Sequence, residues 1–265
     1  MNNTYTLYQV DAFAQKVFEG NPAAVIPMEA FLEDDVLLKI AIENNLSETA
    51  YYVATEEEGK YNLRWFTPGG EVDLCGHATL ATAWVLFNAI GVDREELHFN
   101  TRSGWLIVRK LDDGRLLMDF PADHGKAIPI MKGLEEAVGS EVEAFFQGKD
   151  DFLAVISSVE HLRSMDVDLN FVKGLGQRGL IVSAPSDRVD FESRCFYPNY
   201  NIDEDPVTGS AHTLLTPYWS IRLNTNTMEA IQASPRQGRL TCIYKGDRVA
   251  LIGRGVLYMK GEVYL

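Results

Sequence analysis

Side chains able to hold or move a proton cluster beside two small glycine motifs in this sequence. Glu48 lies in NLSETAYY, a polar stop just before an apolar run. Cys75 and His77 flank Gly76 in CGHAT, and Asp205 stands four residues before Gly209 and Ser210 in DEDPVTGSAH. A helix that begins at Gly76-His77 or at Gly209-Ser210 presents unpaired backbone N–H groups and a positive dipole end. Two such ends facing each other would cradle one small anion, most simply a carboxylate. A carboxylate and an imidazole beside that anion could take a proton and return it.

Each residue also has a purely structural reading. Glu48 is either an acid/base or a cap at a solvated edge. Asp205, like Asp203 and Glu204, is either a reacting group or a helix cap. His77 is either a general acid at the anion-binding end or a satisfied core imidazole. Ser210 is an N-cap, a substrate hydrogen bond, or both. Gly76 and Gly209 could serve only to turn the chain into a helix. Recurrence argues against that reading: RWFTP at 64–68 and RCFYP at 194–198 both open an acidic loop that ends in a glycine cluster. A repeat of this size marks a duplicated half, whereas a solenoid unit has a period of roughly 20–50 residues.

The elements that must position these groups follow from local pattern. Strands are predicted at YTLYQVDAF, at the apolar run after the Gly20-Asn21-Pro22 turn, at LSETAYYVAT, and at NLRWFTP. Residues 31–45 form a helix, with Val36, Leu37, Ile40 and Ala41 on one face and acidic residues in its first turn. LHFNTRSGWLIVRKL and GRLLMDFP pair through an Asp112-Asp113-Gly114 turn. ATLATAWVLFNAI, 78–90, is apolar on nearly every face, so it is buried all round. In a strand-rich chain the simplest burial is a sheet curled around it. In the second half, FLAVISS, RGLIVSAP, RLTCIYKG and the C-terminal run from 248 read as strands. VEHLRSM and FVKGL read as short helices, and the segment after Gly209 as a helix that Pro217 kinks or restarts. The fold class expected is α+β with two halves, residues 1–122 and 123–265, the last strands free to cross back to the first half.

Composition narrows the function. The 265 residues carry a net charge of −14 and 46% hydrophobic residues, ordinary for a globular chain but unlike one that binds nucleic acid or anionic membranes. Three cysteines without metal-type spacing fit a reducing compartment, and the N-terminus lacks the basic and apolar regions of a secretory signal. The expected location is cytoplasmic. GLGQRG at 174–179 matches a dinucleotide fingerprint, but a strand follows it where such a site needs a helix. The five histidines have no paired spacing, so no metal site is expected. There is no nucleophile elbow and no phosphate-loop lysine.

QVDAF, GNPAAV, NLSETAYYV, RWFTP with its following acidic residue, CGHATLATA and EDPVTGSAH, in this order, resemble the PhzF, or phenazine-biosynthesis-like, family. That family belongs to the diaminopimelate-epimerase-fold superfamily. The likeness spans residue 9 to about 213. It implies two similar domains, each an antiparallel sheet rolled around a central helix, with the active site in the cleft between them. It implies cofactor-independent proton transfer next to the carboxylate of a small substrate, and a homodimer. Glu48 is then the principal acid/base, with His77, Asp205 and Ser210 completing the site. The helix ends at Gly76 and Gly209 would hold the carboxylate.

One departure bears on mechanism. Racemases of the wider superfamily use two thiols, one before each glycine cluster. This chain keeps Cys75 but reads DPVTGSA in the second loop, which excludes a two-thiol racemase. Cys75 is a packing thiol or a weak acid/base whose pKa a helix N-terminus would lower. Two other functions stay open from sequence: a two-base epimerase or racemase of an amino or hydroxy acid, and a non-catalytic binder of small carboxylates.

Overall fold

The computed structural model describes residues 4–265, so the first three residues of the expected N-terminal half lie outside it. The chain forms two compact units. One runs through Asp119 and takes up Ile252–Leu265 again; the other is Phe120–Leu251.

The first unit holds β1 (Thr4–Ala12), β2 (Asn21–Met28), α1 (Asp34–Asn44), β3 (Glu48–Ala54), β4 (Lys60–Thr67), β5 (Gly70–Val72), α2 (Gly76–Trp84), β6 (Glu96–Thr101), β7 (Gly104–Lys110) and β8 (Leu116–Pro121). The second holds β9 (Lys126–Ala127), α3 (Leu134–Val138), β10 (Ala144–Gln147), β11 (Asp151–Val155), α4 (Val159–Ser164), α5 (Leu169–Lys173), β12 (Gly179–Pro185), β13 (Phe191–Phe196), α6 (Ala211–Leu223), β14 (Thr227–Gln232), β15 (Gly238–Tyr244) and β16 (Arg248–Gly253). The last strand, β17 (Gly255–Tyr264), pairs along the whole of β1.

The duplication is visible in the ladders. In the first unit β1–β2 is antiparallel, β2–β3 parallel, β3–β4 antiparallel, β4–β6 parallel and β6–β7 antiparallel. In the second, β10–β11, β11–β12, β12–β13, β13–β14 and β14–β15 repeat that series step for step. The sheets are therefore mainly antiparallel with two parallel joins each. Each parallel join follows from a crossover, because strands joined through a helix re-enter the sheet in the same direction.

Local chemistry explains the boundaries. Residues 97–111, expected as one strand, split into the hairpin β6–β7, where Gly104 takes a φ of 94° that other residues rarely adopt. The Asp112-Asp113-Gly114 turn forms as expected, with Gly114 at φ 79°. α3, β10 and β14 were not legible in the sequence; the first two are five and four residues long, too short for periodicity to register.

The central helix of the first unit is buried from His77 to Phe87, apart from a half-buried Trp84. It passes at Val85–Ile90 into a π-helical turn, whose last three residues are exposed. It packs on β1, β2, β3 and β17. Its polar side chains are satisfied within the helix: Thr79 and Thr82 donate to the carbonyls of Cys75 and Ala78.

In the second unit, α6 continues through Pro217 without the restart that was one expectation. The proline leaves the Thr213 carbonyl without its helical donor, and the Asp123 N–H supplies one at 3.0 Å. Trp219, fully buried on α6, stacks on Phe191 at 5.4 Å and donates its indole N–H to Ser183. Such a stacked pair contributes about 0.5–1.5 kcal/mol beyond its buried area.

Candidate active site

The repeated R-x-F pattern is a structural device. Arg64 on β4 grips Glu71 with Nε and one Nη, both at 2.7 Å, and lies over the Phe66 ring. Arg194 on β13 grips Glu204 in the same bidentate way, again at 2.7 Å twice, and lies over Phe196. Each clamp ties the acidic loop back to the strand it leaves, just ahead of the glycine cluster. A planar guanidinium matched to a carboxylate holds geometry as well as charge.

In the first unit three expected site residues come together. Glu48 is the first residue of β3, opposite Ala23 of the parallel β2. Cys75 is the extended residue before α2, and His77 is the second residue of the helix. The Nε2 of His77 lies 2.9 Å from Oε2 of Glu48, with side-chain exposures of 7% and 13%. The two atoms approach out of line, so each is buried without a well-directed hydrogen bond. Active-site bonds of this kind often align only when ligand is bound. On the other edge of the ring, Nδ1 is 3.6 Å from the Cys75 thiol and 3.3 Å from the Asn21 amide nitrogen. Ser47 donates to the Asn21 oxygen at 3.1 Å.

Electrostatics correct one expectation. Burial, with the Glu48 carboxylate close by, pushes the Cys75 thiol above its ordinary value. The helix N-terminus does not lower it, because desolvation outweighs the dipole in a fully enclosed group. At His77 burial resists charge, but the Glu48 carboxylate 2.9 Å away favours the imidazolium and holds the imidazole above its usual range. Glu48, Cys75 and His77 also lie close enough to suggest a metal site. One ligand atom from each of the three lies within 4.8 Å of the others, at the N-terminal end of α2.

In the second unit the buried Asp205 accepts a hydrogen bond from the Thr208 hydroxyl. Gln232, fully buried on β14, secures this loop: its oxygen accepts the Thr208 N–H and its nitrogen donates to the Asp205 carbonyl, both at 2.7 Å. Ser210 precedes α6 but makes no side-chain cap. Its hydroxyl instead accepts from Arg178 at 3.0 Å. Arg178 comes from the GLGQRG loop and also clasps the buried Asp151 while lying over Tyr197. The glycine-rich segment thus delivers an arginine to the start of α6, with no helix after it for a dinucleotide.

Sequence reasoning did not single out Asn21, Arg178, Asp151 or Gln232 as site residues. Asn21 had a signal, since GNPAAV is one of the motifs that carry the resemblance; the other three gave none.

A duplicated roll, each half wound around a buried helix, with a carboxylate against an imidazole at the start of the first helix, defines an isomerase of the diaminopimelate-epimerase-fold superfamily. The chain belongs within it to the phenazine-biosynthesis-like, or PhzF, family, whose profile, described as phenazine biosynthesis-like protein, matches residues 10–261. An uncharacterized isomerase of Pseudomonas aeruginosa is 50% identical over 98% of this chain and 99% of its own length. A crystal structure of a PhzF-family protein from Enterococcus faecalis is 48% identical, covers 99% of this chain and 100% of that one, and superposes with a TM-score of 0.95. A putative PhzC/PhzF protein from Clostridium difficile is 37% identical with a TM-score of 0.90, covering 97% and 98%. These likenesses and the Glu–His cluster support isomerase activity by a cofactor-independent mechanism.

Proposed function

We propose that the protein moves a proton at the carbon next to the carboxylate of a small molecule, with Glu48 as the acid/base. The observation that carries this reading is the enclosed 2.9 Å approach of Glu48 to His77 at the N-terminal end of α2. Removing a proton beside a carboxylate builds up negative charge there. The N–H groups opening α2 and the His77 imidazole are the groups of this unit able to offset that charge. Glu48 then returns the proton, at another carbon for isomerisation.

Gly76 and Cys75 are proposed to line the ligand's place at this helix end. Asp205, Gly209 and Ser210 are assigned to the same reaction by the family resemblance. Ser210 supports it chemically: with Arg178 donating to its oxygen, its own hydroxyl hydrogen remains available to a ligand. We assign the protein to the cytoplasm as a homodimer that binds neither nucleic acid nor membranes. The net charge of −14 and three free, buried cysteines support the location and the lack of nucleic-acid and membrane binding; the homodimer rests on the family resemblance alone. No helix among the described residues is long and apolar enough to cross a membrane.

The test is solvent-deuterium exchange, followed by NMR, into a panel of small carboxylates. Exchange that the wild type catalyses and Glu48→Gln does not supports the reading. Exchange by Glu48→Gln at the wild-type rate overturns it.

A further inference from the structure

We propose that Asn21 is a positioning residue that keeps the neutral His77 ring in its Nε2–H form, the hydrogen resting on the nitrogen beside Glu48. The GNP segment holds Asn21 tightly. Gly20 before it has a φ of 68°, and a Cβ there would meet the Ala12 carbonyl oxygen at 2.1 Å. Asn21 itself is fully buried at the first position of β2. Its Oδ1 accepts from the Ser47 hydroxyl at 3.1 Å, and its Nδ2 donor lies toward Nδ1 of His77, 3.3 Å away. The Cys75 thiol, the other group on this edge and able to donate, is 3.6 Å from Nδ1.

A ring nitrogen faced by two donors is the acceptor of a neutral imidazole, so the hydrogen resides on the other nitrogen. That nitrogen is the one 2.9 Å from the Glu48 carboxylate. The ionisable groups against the ring are thus Glu48 at the start of β3 and Cys75 before α2. When the imidazolium gives up a proton, it gives up the one on Nδ1.

The consequence rests on Glu48 being the acid/base. His77 then reaches the ligand by its charge and through Glu48, with no hydrogen bond of its own, because one ring edge is held by Asn21 and the other lies beside the carboxylate. Oε2 of Glu48 is shut away against the ring, so Oε1 is the oxygen that exchanges a proton with substrate.

The test needs no substrate. Protein labelled with ¹⁵N-histidine is observed by long-range ¹H–¹⁵N correlation, titrated upward in pH, with His77 assigned by its loss in His77→Gln. The wild type is expected to show a protonated Nε2 and a bare Nδ1 once the ring is neutral. Asn21→Asp puts an acceptor beside Nδ1, so the neutral Nε2–H form should be lost to an Nδ1–H ring or a persistent imidazolium. Asn21→Leu and the milder Ser47→Ala should give a mixture of tautomers. Unchanged signals from His161 and His212 report that each variant is folded. A wild-type ring protonated on Nδ1 overturns the proposal, as does an unaltered Nε2–H ring in the folded variants. If Asn21 variants do not fold, the wild-type and Ser47→Ala spectra decide. Failure of the Glu48 reading is seen separately, as undiminished deuterium exchange by Glu48→Gln.

Discussion

His77 is pressed between a carboxylate and an amide: Glu48 approaches Nε2 at 2.9 Å, and Asn21 approaches Nδ1 at 3.3 Å. Glu48→Gln preserves the shape of this contact and removes the base. Deuterium exchange into an identified substrate should fall by about 10²–10⁴-fold, the usual contribution of a general base. His77→Ala and Asp205→Asn should lose less, since they orient and stabilise without carrying the proton. The thermal unfolding midpoint of Glu48→Gln should stay close to that of the wild type.

Cys75 should be a poor nucleophile. Burial keeps its thiol protonated at neutral pH, and the thiolate is the reactive species. Alkylation by iodoacetamide at pH 8, followed by mass spectrometry, should be far slower in the folded protein than in denaturant. Cys75→Ser should retain exchange activity. Loss of exchange in Cys75→Ala, with Glu48→Gln still active, would name the thiol as the base.

His212 gives the second unit a pH-dependent stability. It is fully buried on α6, and burial lowers its pKa from 6.5 to about 4, only partly offset by the Thr208 carbonyl that accepts from Nδ1. Above pH 6.5 the ring is neutral folded or unfolded, and its contribution is complete. As pH falls from 6.5 to about 4 the unfolded chain takes up a proton that the folded unit refuses, so stability declines. Below about 4 the slope from this group ends. Denaturant unfolding as a function of pH should show this decline in the wild type and a shallower one in His212→Gln.

Glu192 acts in a lower window. Its carboxylate is fully buried on β13; burial alone would raise its pKa, but Arg163, Arg188 and Ser186 outweigh that and lower it from 4.5 to about 2. The depressed value means its stabilisation is whole above pH 4.5 and is lost as pH falls toward about 2. Glu192→Gln should be less stable at pH 7, because two arginines lose their partner, and should show less acid-induced loss between pH 4.5 and 2.

The amino-acid sequence by itself determined what depends on near neighbours and on repetition. The run from Ala78 to Phe87 has almost no polar face and became the buried helix, whereas residues 88–90, expected to be buried with it, are exposed at its end. The Asp112-Asp113-Gly114 turn follows from one glycine at positive φ. The recurrence of R-x-F-x-P before each glycine cluster announced the duplication that the matching ladders display. Glu48, Cys75 and His77 were legible as a group because their motifs lie at the ends of readable elements. Tertiary structure decided what depends on residues far apart in the chain. The β2–β3 register brings the strand that begins at Asn21 beside the one that begins at Glu48, and α2 sets the His77 ring between them. Which nitrogen of His77 meets Glu48 is a matter of side-chain direction, which no spacing encodes. The same holds for Arg178, which reaches Ser210 from a loop that looked like a nucleotide motif, and for Asp123, which supplies the donor that Pro217 withholds from Thr213. The Cys75 thiol makes the same point. A helix N-terminus read from sequence predicts a lowered pKa, and enclosure on all sides, a property of the folded unit alone, reverses the sign.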